Sequence, residues 1–181
     1  MKATPAAIAE VLLLQPKVFG DARGFFFESY NRRAFEKATG VYVEFVQDNH
    51  SRSVKNVLRG LHYQIRQPQG KLVRVTLGSI WDVAVDLRRG SPTFGRWVAF
   101  ELSAESKRMA WIPPGFAHGF LVTAETAEVQ YRTTDYYAPE HERTLAWNDA
   151  GLAIPWPIEG EPILAAKDRG AKTLAEVDTF P

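Results

Sequence analysis

The sequence contains no cysteine. This absence excludes disulfide bonds, thiolate metal sites and cysteine nucleophiles. Charge of either sign is also not in excess, because 22 lysines and arginines are balanced by 21 aspartates and glutamates, for a net charge of +1. Nucleic-acid-binding domains and polybasic membrane-binding segments carry a clear basic excess, so we expect no nucleic-acid or membrane partner. A local site for an anion remains compatible with this balance.

Long hydrophobic runs are absent too. No run approaches the roughly 20 apolar residues that a membrane span needs. The apolar run VLLL (11–14) near the N-terminus is too short for a signal peptide, and Glu10 interrupts the stretch before it. We therefore expect a cytoplasmic protein with no targeting segment. The glycine patterns GxGxxG and GxxxxGK[ST] are also missing, so dinucleotide-binding and P-loop folds have no support.

The overall amino-acid composition is that of an ordinary globular protein, with 45% hydrophobic and 24% charged residues. A length of 181 residues is enough for a substantial core and predicts one domain spanning residues 1–181. One helix is expected near 31–39, with Asn31 as its N-cap. Apolar and polar residues alternate, as in half-buried strands, over 41–47, 71–78, 81–88, 96–103 and 127–134.

Many short strands with little helix are typical of a sandwich or barrel. The fold predicted is all-β: a double-sheet jelly roll (double-stranded β-helix) of the cupin type, with a few short helices. Cupins often hold a metal through two histidines one residue apart, followed by a glutamate and a later histidine. Only four histidines occur here, and His62 and His118 lie in separate motifs. This is a poor ligand set for zinc, iron or copper, so no metal site is expected.

His62 lies in VLRGLHYQ (57–64), a run that otherwise looks like a half-buried strand. A lone histidine in an apolar strand is most often a structural residue. At period two, however, Gln64 shares a face with His62, whereas Arg59 lies on the opposite face. A strand face that carries histidine and glutamine inward is typical of a barrel mouth that holds a small ligand.

Several sequence blocks carry a resemblance to a known family. They are DARGFFFE (21–28), QDNHSRS (47–53), VLRGLHYQ (57–64), QGKLVRV (69–75), DVAVDLR (82–88), SPTFG (91–95), IPPGFAHGF (112–120), YRTTDYYAPEHER (131–143), WND (147–149) and AAKD (165–168). In this order and spacing, the chain resembles the dTDP-4-dehydrorhamnose 3,5-epimerases along nearly its whole length. One departure is Ala165, where the family usually has serine, and a minor loss of local hydrogen bonding is expected there.

The resemblance implies a dTDP-linked 4-keto-6-deoxyhexose as substrate, with inversion at C3 and C5. Both hydrogens are adjacent to the C4 ketone, so removing either one leaves an enolate. Protonation from the opposite face then inverts the carbon. This chemistry requires a base, an acid on the other face and a positive group near the oxygen, and it requires no cofactor.

The resemblance also assigns the roles. His62 is the base, Asp168 orients its ring, Tyr131 is the proton donor from the other face, and Lys71 is the cation near the C4 oxygen. On spacing alone, Asp168 would be a solvated turn residue, Tyr131 a half-buried strand residue and Lys71 a surface lysine. The family positions that bind substrate are Arg23, Glu28, Gln47, Asn49, Arg59, His118, Glu142 and Lys167. A homodimer is expected, with part of each site supplied by the partner chain.

Four alternative functions remain open. A single-site epimerase, acting at C3 or C5 in an antibiotic-sugar pathway, would keep the same histidine, aspartate and tyrosine. A keto-isomerase on the same scaffold would return the proton to a different atom, and the intact block around Tyr131 argues against it. A metal-dependent cupin enzyme is disfavoured because no second histidine follows His62. A non-catalytic sugar-nucleotide binder is disfavoured because the set of His62, Lys71, Tyr131 and Asp168 is complete.

Overall fold

The computed structural model describes residues 1–181, which form thirteen strands and two α-helices. The helices are α1 (Arg32–Thr39) and α2 (Ala166–Arg169), and a 3-10 turn spans Pro139–His141. The strands are β1 (Lys2–Pro5), β2 (Leu12–Gln15), β3 (Phe19–Asp21), β4 (Gly24–Phe26), β5 (Gln47–Val54), β6 (Leu58–Gln64), β7 (Lys71–Leu77), β8 (Ser79–Asp86), β9 (Trp97–Ser103), β10 (Met109–Ile112), β11 (Phe116–Val122), β12 (Thr126–Thr133) and β13 (Glu142–Thr144). Neither helix has the length and apolar character needed to cross a membrane.

The strands form two main antiparallel sheets. The larger sheet has the order β1-β2-β10-β7-β12-β5, the smaller has the order β13-β6-β11-β8-β9, and β3 and β4 form a separate hairpin. Strands β5 to β12 supply four neighbouring strands to each sheet, in the orders β5-β12-β7-β10 and β6-β11-β8-β9. This is the strand order of a jelly roll, so the predicted all-β jelly roll with a few short helices is confirmed.

The main core lies between the two sheets. Val73 and Val129 from the larger sheet pack with Ala84 and Phe120 from the smaller one, and all four are buried. Burying one such valine or phenylalanine side chain stabilises a fold by about 1.5–3 kcal/mol. The core does not fill the whole space between the sheets. Polar side chains replace apolar ones at inner positions of the same strands, and these positions line the cavity described below.

Helix α1 covers the outer face of the larger sheet. Asn31 caps it as predicted, because its side-chain oxygen accepts a hydrogen bond from the Ala34 backbone N–H at 3.1 Å. Phe35 on its inner side is fully buried and packs edge-on against Trp111. The prediction of a strand over 41–47 is wrong, since only Gln47 of this run belongs to a strand. Its alternation instead reflects a loop whose apolar side chains pack onto the cluster around Phe35.

Strand β6 contains an irregularity that changes which side chains share its inner face. His62 is opposite His118 of β11, whereas Arg59 is opposite Phe120, so three residues of β6 span two of β11. Arg59 therefore faces the same cavity as His62, and the prediction that it lies on the opposite face is wrong. Gly60, with φ of +123°, occurs at this point because an added Cβ would lie 2.6 Å from the Cα of Gly119.

Candidate active site

A cavity of about 600 Å³ opens between the two sheets at one end of the jelly roll. Both sheets contribute to its lining, together with the segment that leads into α2. Ten of the twelve predicted site residues line it, namely His62, Lys71, Tyr131, Asp168, Gln47, Asn49, Arg59, His118, Glu142 and Lys167. A concave site with converging polar groups is what a small-molecule ligand requires.

His62 and Asp168 form the central pair. The Nε2 atom of His62 lies 2.5 Å from Oδ1 of Asp168, whose side chain comes from α2 and is almost completely buried. A carboxylate at Nε2 favours the tautomer with the proton on that nitrogen, which leaves the lone pair of Nδ1 free to accept a proton. Burial lowers the pKa of His62, and the hydrogen bond to Asp168 opposes this effect. The ring is therefore neutral and basic at neutral pH.

Lys71 places a cation in the same cavity from the facing sheet. Its side chain on β7 is buried, with the residue 8% exposed, and Nζ donates to the backbone oxygen of His62 at 3.2 Å. Burial lowers the pKa of Lys71 to about 8, while the nearby carboxylates of Asp82 and Glu142 favour the charged form. The ammonium is thus protonated at pH 7, in surroundings where a charge acts strongly on a nearby anion.

Tyr131 extends into the cavity from β12, in the larger sheet, and His62 extends from β6 in the smaller one. A flat ligand between the sheets would therefore have the imidazole on one face and the phenol on the other. Burial raises the pKa of Tyr131, and the charge of Arg59 opposes this rise. The phenol remains protonated at neutral pH and can donate a proton.

A second imidazole–carboxylate pair lies beside the first one. His118 is opposite His62 in the β6–β11 register, and its Nε2 lies 2.8 Å from Oδ2 of Asp82. Asp82 is fully buried, and its other oxygen has no hydrogen-bond partner. Asp82 was not predicted as a site residue. In the sequence, Asp82 is the first residue of the resemblance block DVAVDLR (82–88) and an aspartate inside the apolar alternation of strand β8.

The polar residues on the larger sheet and on β6 are arranged by contacts with their neighbours. The side chain of Gln47 donates to Oδ1 of Asn49 at 2.9 Å, which holds both amides in place. Asp48, between them in the strand, points the other way, and its carboxylate lies 3.4 Å from Nε of Arg132. Arg59 uses Nε to hydrogen-bond the hydroxyl of Ser53 and keeps its remaining donors available to a ligand.

The opposite rim of the cavity carries a second polar group. Lys167 lies 2.8 Å from one carboxylate oxygen of Glu142, and the hydroxyl of Tyr137 donates to the other at 3.2 Å. Tyr137 was not predicted as a site residue, although it lines the cavity and half of its surface is exposed. An exposed aromatic ring at a cavity mouth is suited to stacking on a planar group of a ligand.

Arg23 and Glu28 lie outside the cavity of their own chain. Arg23 is in the turn of the β3–β4 hairpin, with its side chain 90% exposed and paired with Asp21. Glu28 accepts a hydrogen bond from the side chain of Asn31, just before α1. The structure therefore does not bring these two predicted residues to the other ten.

Ala165 occupies the N-cap position of α2, the helix that carries Asp168. No side chain caps this helix. A serine at this position is a preferred N-cap whose hydroxyl can accept a hydrogen bond from the first turn. The minor loss of local hydrogen bonding expected at Ala165 stays a prediction.

The sequence and the fold both match known proteins. The family model for dTDP-4-dehydrorhamnose 3,5-epimerase matches residues 5–176. The chain belongs to this family. It is 66% identical, over 100% of both chains, to the dTDP-4-dehydrorhamnose 3,5-epimerase of Pseudomonas aeruginosa.

Two solved structures show how close the fold is to other epimerases. The Legionella pneumophila dTDP-6-deoxy-D-glucose-3,5-epimerase in complex with dTDP-4-keto-L-rhamnose superposes with a TM-score of 0.96 at 51% identity, covering 98% of this chain and 94% of that one. A 3'-monoepimerase from Streptomyces bikiniensis in complex with dTDP-quinovose superposes with a TM-score of 0.89 at 34% identity, covering 97% and 88%. The scaffold of this family member is therefore similar to those of a double and a single epimerase.

Proposed function

We propose that the protein inverts C3 and C5 of dTDP-4-dehydro-6-deoxy-D-glucose to give dTDP-4-dehydro-L-rhamnose, without a metal or organic cofactor. The observation that carries the proposal is the position of His62 and Tyr131 on facing sheets of one cavity, with the buried cation of Lys71 beside them. This arrangement supplies a base, an acid on the opposite side and a charge for an oxyanion. Membership of the epimerase family supports the same reaction.

In the first step, Nδ1 of His62 removes the hydrogen from the carbon next to the ketone. The electron pair of the C–H bond moves toward C4, and the C4 oxygen becomes an enolate. Asp168 holds the ring at 2.5 Å and stabilises the imidazolium that forms. The lowered pKa of His62 keeps the base ready at neutral pH.

The enolate needs a positive charge that is in place before the reaction. Lys71 provides it from a buried position, where no large solvent reorganisation is required as charge develops. Removing one such preorganised donor typically costs about 10²–10³-fold in rate. Lys71 therefore acts at the C4 oxygen for both inversions.

In the second step, the hydroxyl of Tyr131 protonates the carbon from the other face, which inverts it. The ketone reforms, and the imidazolium and the phenolate then exchange their protons with water. The same sequence at the second carbon completes the reaction. Both carbons are adjacent to the same C4 carbonyl, so one base, one acid and one cation serve both.

The nucleotide end of the substrate requires cations for two phosphates. Arg59 and Lys167 lie in the cavity lining and are suited to this role. Gln47, Asn49 and Glu142 offer polar contacts in the same lining. His118, on the strand next to His62, is in the same lining, and we assign it a contact with the sugar.

We propose also that the protein is a homodimer, in which Arg23 and Glu28 reach the cavity of a second copy. The support is the exposed position of Arg23 together with Phe25 and Phe26 of the same hairpin, which are more than half exposed. Light scattering should give twice the mass of one chain. Mixing an inactive Arg23→Ala chain with an inactive His62→Ala chain should restore activity, whereas no recovery would contradict shared sites.

The single domain over 1–181 and the cytoplasmic location stay predictions.

A single-site epimerase is the second candidate, favoured by the likeness to the Streptomyces bikiniensis 3'-monoepimerase. Proton NMR of dTDP-4-keto-6-deoxyglucose in deuterated water, with chelator-treated protein, separates the two. Loss of both the C3 and C5 signals with formation of the rhamno configuration supports the double epimerase. Loss of one signal identifies a single-site epimerase. Retention of both signals contradicts both proposals, as does activity that returns only with added metal.

The division of roles is tested with Tyr131→Phe. This variant keeps the ring and the base but removes the acid. It should therefore reduce inversion far more than exchange of the C3 and C5 hydrogens with solvent. Equal losses of exchange and inversion would show that Tyr131 is not the acid on the far face.

A further inference from the structure

The segment 153–165, which leads into α2, has almost no regular structure of its own. The last strand before α2 is β13, which ends at Thr144. Segment 153–165 pairs with the rest of the chain through one isolated bridge, between Ile163 and Val57. Helix α2 has four residues and no side-chain cap. The position of Asp168 therefore depends on the contacts that hold the preceding segment against the jelly roll.

Asn56, in the turn between β5 and β6, makes three hydrogen bonds to this segment. Its side-chain amide has two hydrogens, and it donates to the backbone oxygens of Glu159 at 2.9 Å and Glu161 at 2.7 Å. Its own backbone oxygen accepts from the N–H of Ile163 at 2.9 Å. Its φ of +65° lies in the left-handed region, which asparagine tolerates better than most residues.

The bridge beside Asn56 also sets a register. Val57 and Ile163 pair in parallel, so the two chain segments leave the bridge in the same direction. His62 follows Val57 by five residues, and Asp168 follows Ile163 by five. The two side chains then meet at 2.5 Å. Holding the segment at the bridge thus holds the carboxylate at the imidazole.

We propose that Asn56 is a positioning residue for the reaction, which keeps Asp168 on His62 by binding the backbone of residues 159–163. This inference rests on the proposed roles of His62 and Asp168. Asn56 does not line the cavity, so its effect passes through Asp168 and not through contact with the substrate. A segment without its two amide contacts holds Asp168 at the ring for a smaller fraction of the time.

The test uses Asn56→Asp, which keeps the shape of the side chain and its tolerance for positive φ but replaces the donating NH₂ group by oxygen. We expect kcat to fall roughly 10- to 100-fold, as for other small displacements of a reacting group. The hydrogen bond from Asp168 raises the pKa of His62. The acidic limb of the pH profile should therefore move to lower pH, which a purely structural defect would not cause.

The matched control is Lys55→Ala, which removes the surface ion pair from Lys55 to Glu159 at 3.0 Å in the same turn. It should stay within twofold of the wild type, and thermal unfolding should show that both variants are folded. In an Asp168→Ala background, Asn56→Asp should cost nothing more, because both changes remove the same interaction.

The outcomes distinguish this inference from the proposed function. If Asp168→Ala reduces activity strongly while Asn56→Asp retains full activity, the role of Asn56 is refuted and that of Asp168 is not. The same holds if Asn56→Asp lowers the activity of the Asp168→Ala variant further. If Asp168→Ala itself retains activity, the proposed role of Asp168 fails, and the inference fails with it. A loss in Asn56→Asp without movement of the acidic limb would also overturn the inference.

Discussion

Replacing Lys71 by methionine should inactivate the protein and stabilise it, because the buried ammonium serves the reaction but opposes folding. Burial lowers the pKa of Lys71 from its ordinary 10.5 to about 8. Since one pKa unit corresponds to 1.36 kcal/mol, keeping the charge in the folded protein costs about 3 kcal/mol at pH 7. Methionine has a similar shape but loses the hydrogen bond to His62, worth about 1 kcal/mol. The expected net gain is about 2 kcal/mol in the free energy of unfolding.

The gain should depend on pH in a defined direction. The folded protein releases the Lys71 proton near pH 8, whereas the unfolded chain keeps it up to pH 10.5. Between these values the unfolded state binds more protons, so the wild type becomes more stable as pH rises. The difference between Lys71→Met and wild type is therefore largest below pH 8 and shrinks toward pH 10.5.

Urea unfolding of both proteins at pH 7 and pH 10 measures this difference, and groups that titrate equally in both proteins cancel in the comparison. Solvent exchange at C3 and C5 measures activity. A variant that is less stable than the wild type at pH 7 would show that the buried ammonium of Lys71 does not oppose folding. A stability difference that stays the same at both pH values would show that the pKa of Lys71 is not lowered in the folded protein.

Three further outcomes are expected. The value of kcat/KM should follow a bell-shaped pH curve. Activity should be lost at pH values below the ordinary pKa of histidine, where His62 is protonated, and again near pH 8, where Lys71 loses its proton. A curve that is flat from pH 7 to pH 9 would contradict the role of Lys71. Ala165→Ser should raise the free energy of unfolding by about 0.5–1 kcal/mol through a new helix cap, measured by urea unfolding. Gly119→Ala should destabilise by more than about 1 kcal/mol, because its Cβ would lie 2.6 Å from the Arg59 backbone oxygen.

The sandwich was predictable wherever one face of a strand is buried and the other is not. Strands β7, β8, β9 and β12 all coincide with period-two runs of the sequence. The same alternation over 41–47 belongs to a loop, because packing onto α1 also selects one apolar side. Periodicity reports burial on one side, and it does not report which element forms.

The site was predictable from family resemblance and not from spacing. His62 and Asp168 are separated by 106 positions in the chain and meet only through tertiary structure. The extra residue in β6 turned Arg59 into the cavity, which no alternation rule anticipates. Asp82 was missed because a buried aspartate in an apolar strand gives no indication of its partner, His118.

Whether His62 is the base for both inversions is tested by solvent exchange at C3 and C5 with His62→Ala, measured by proton NMR in deuterated water. We expect exchange to stop at both carbons, because one base serves both, while nucleotide-sugar binding and thermal unfolding stay close to those of the wild type. Exchange that continues at either carbon above a trace would show that another group removes that hydrogen and would contradict the assignment of His62.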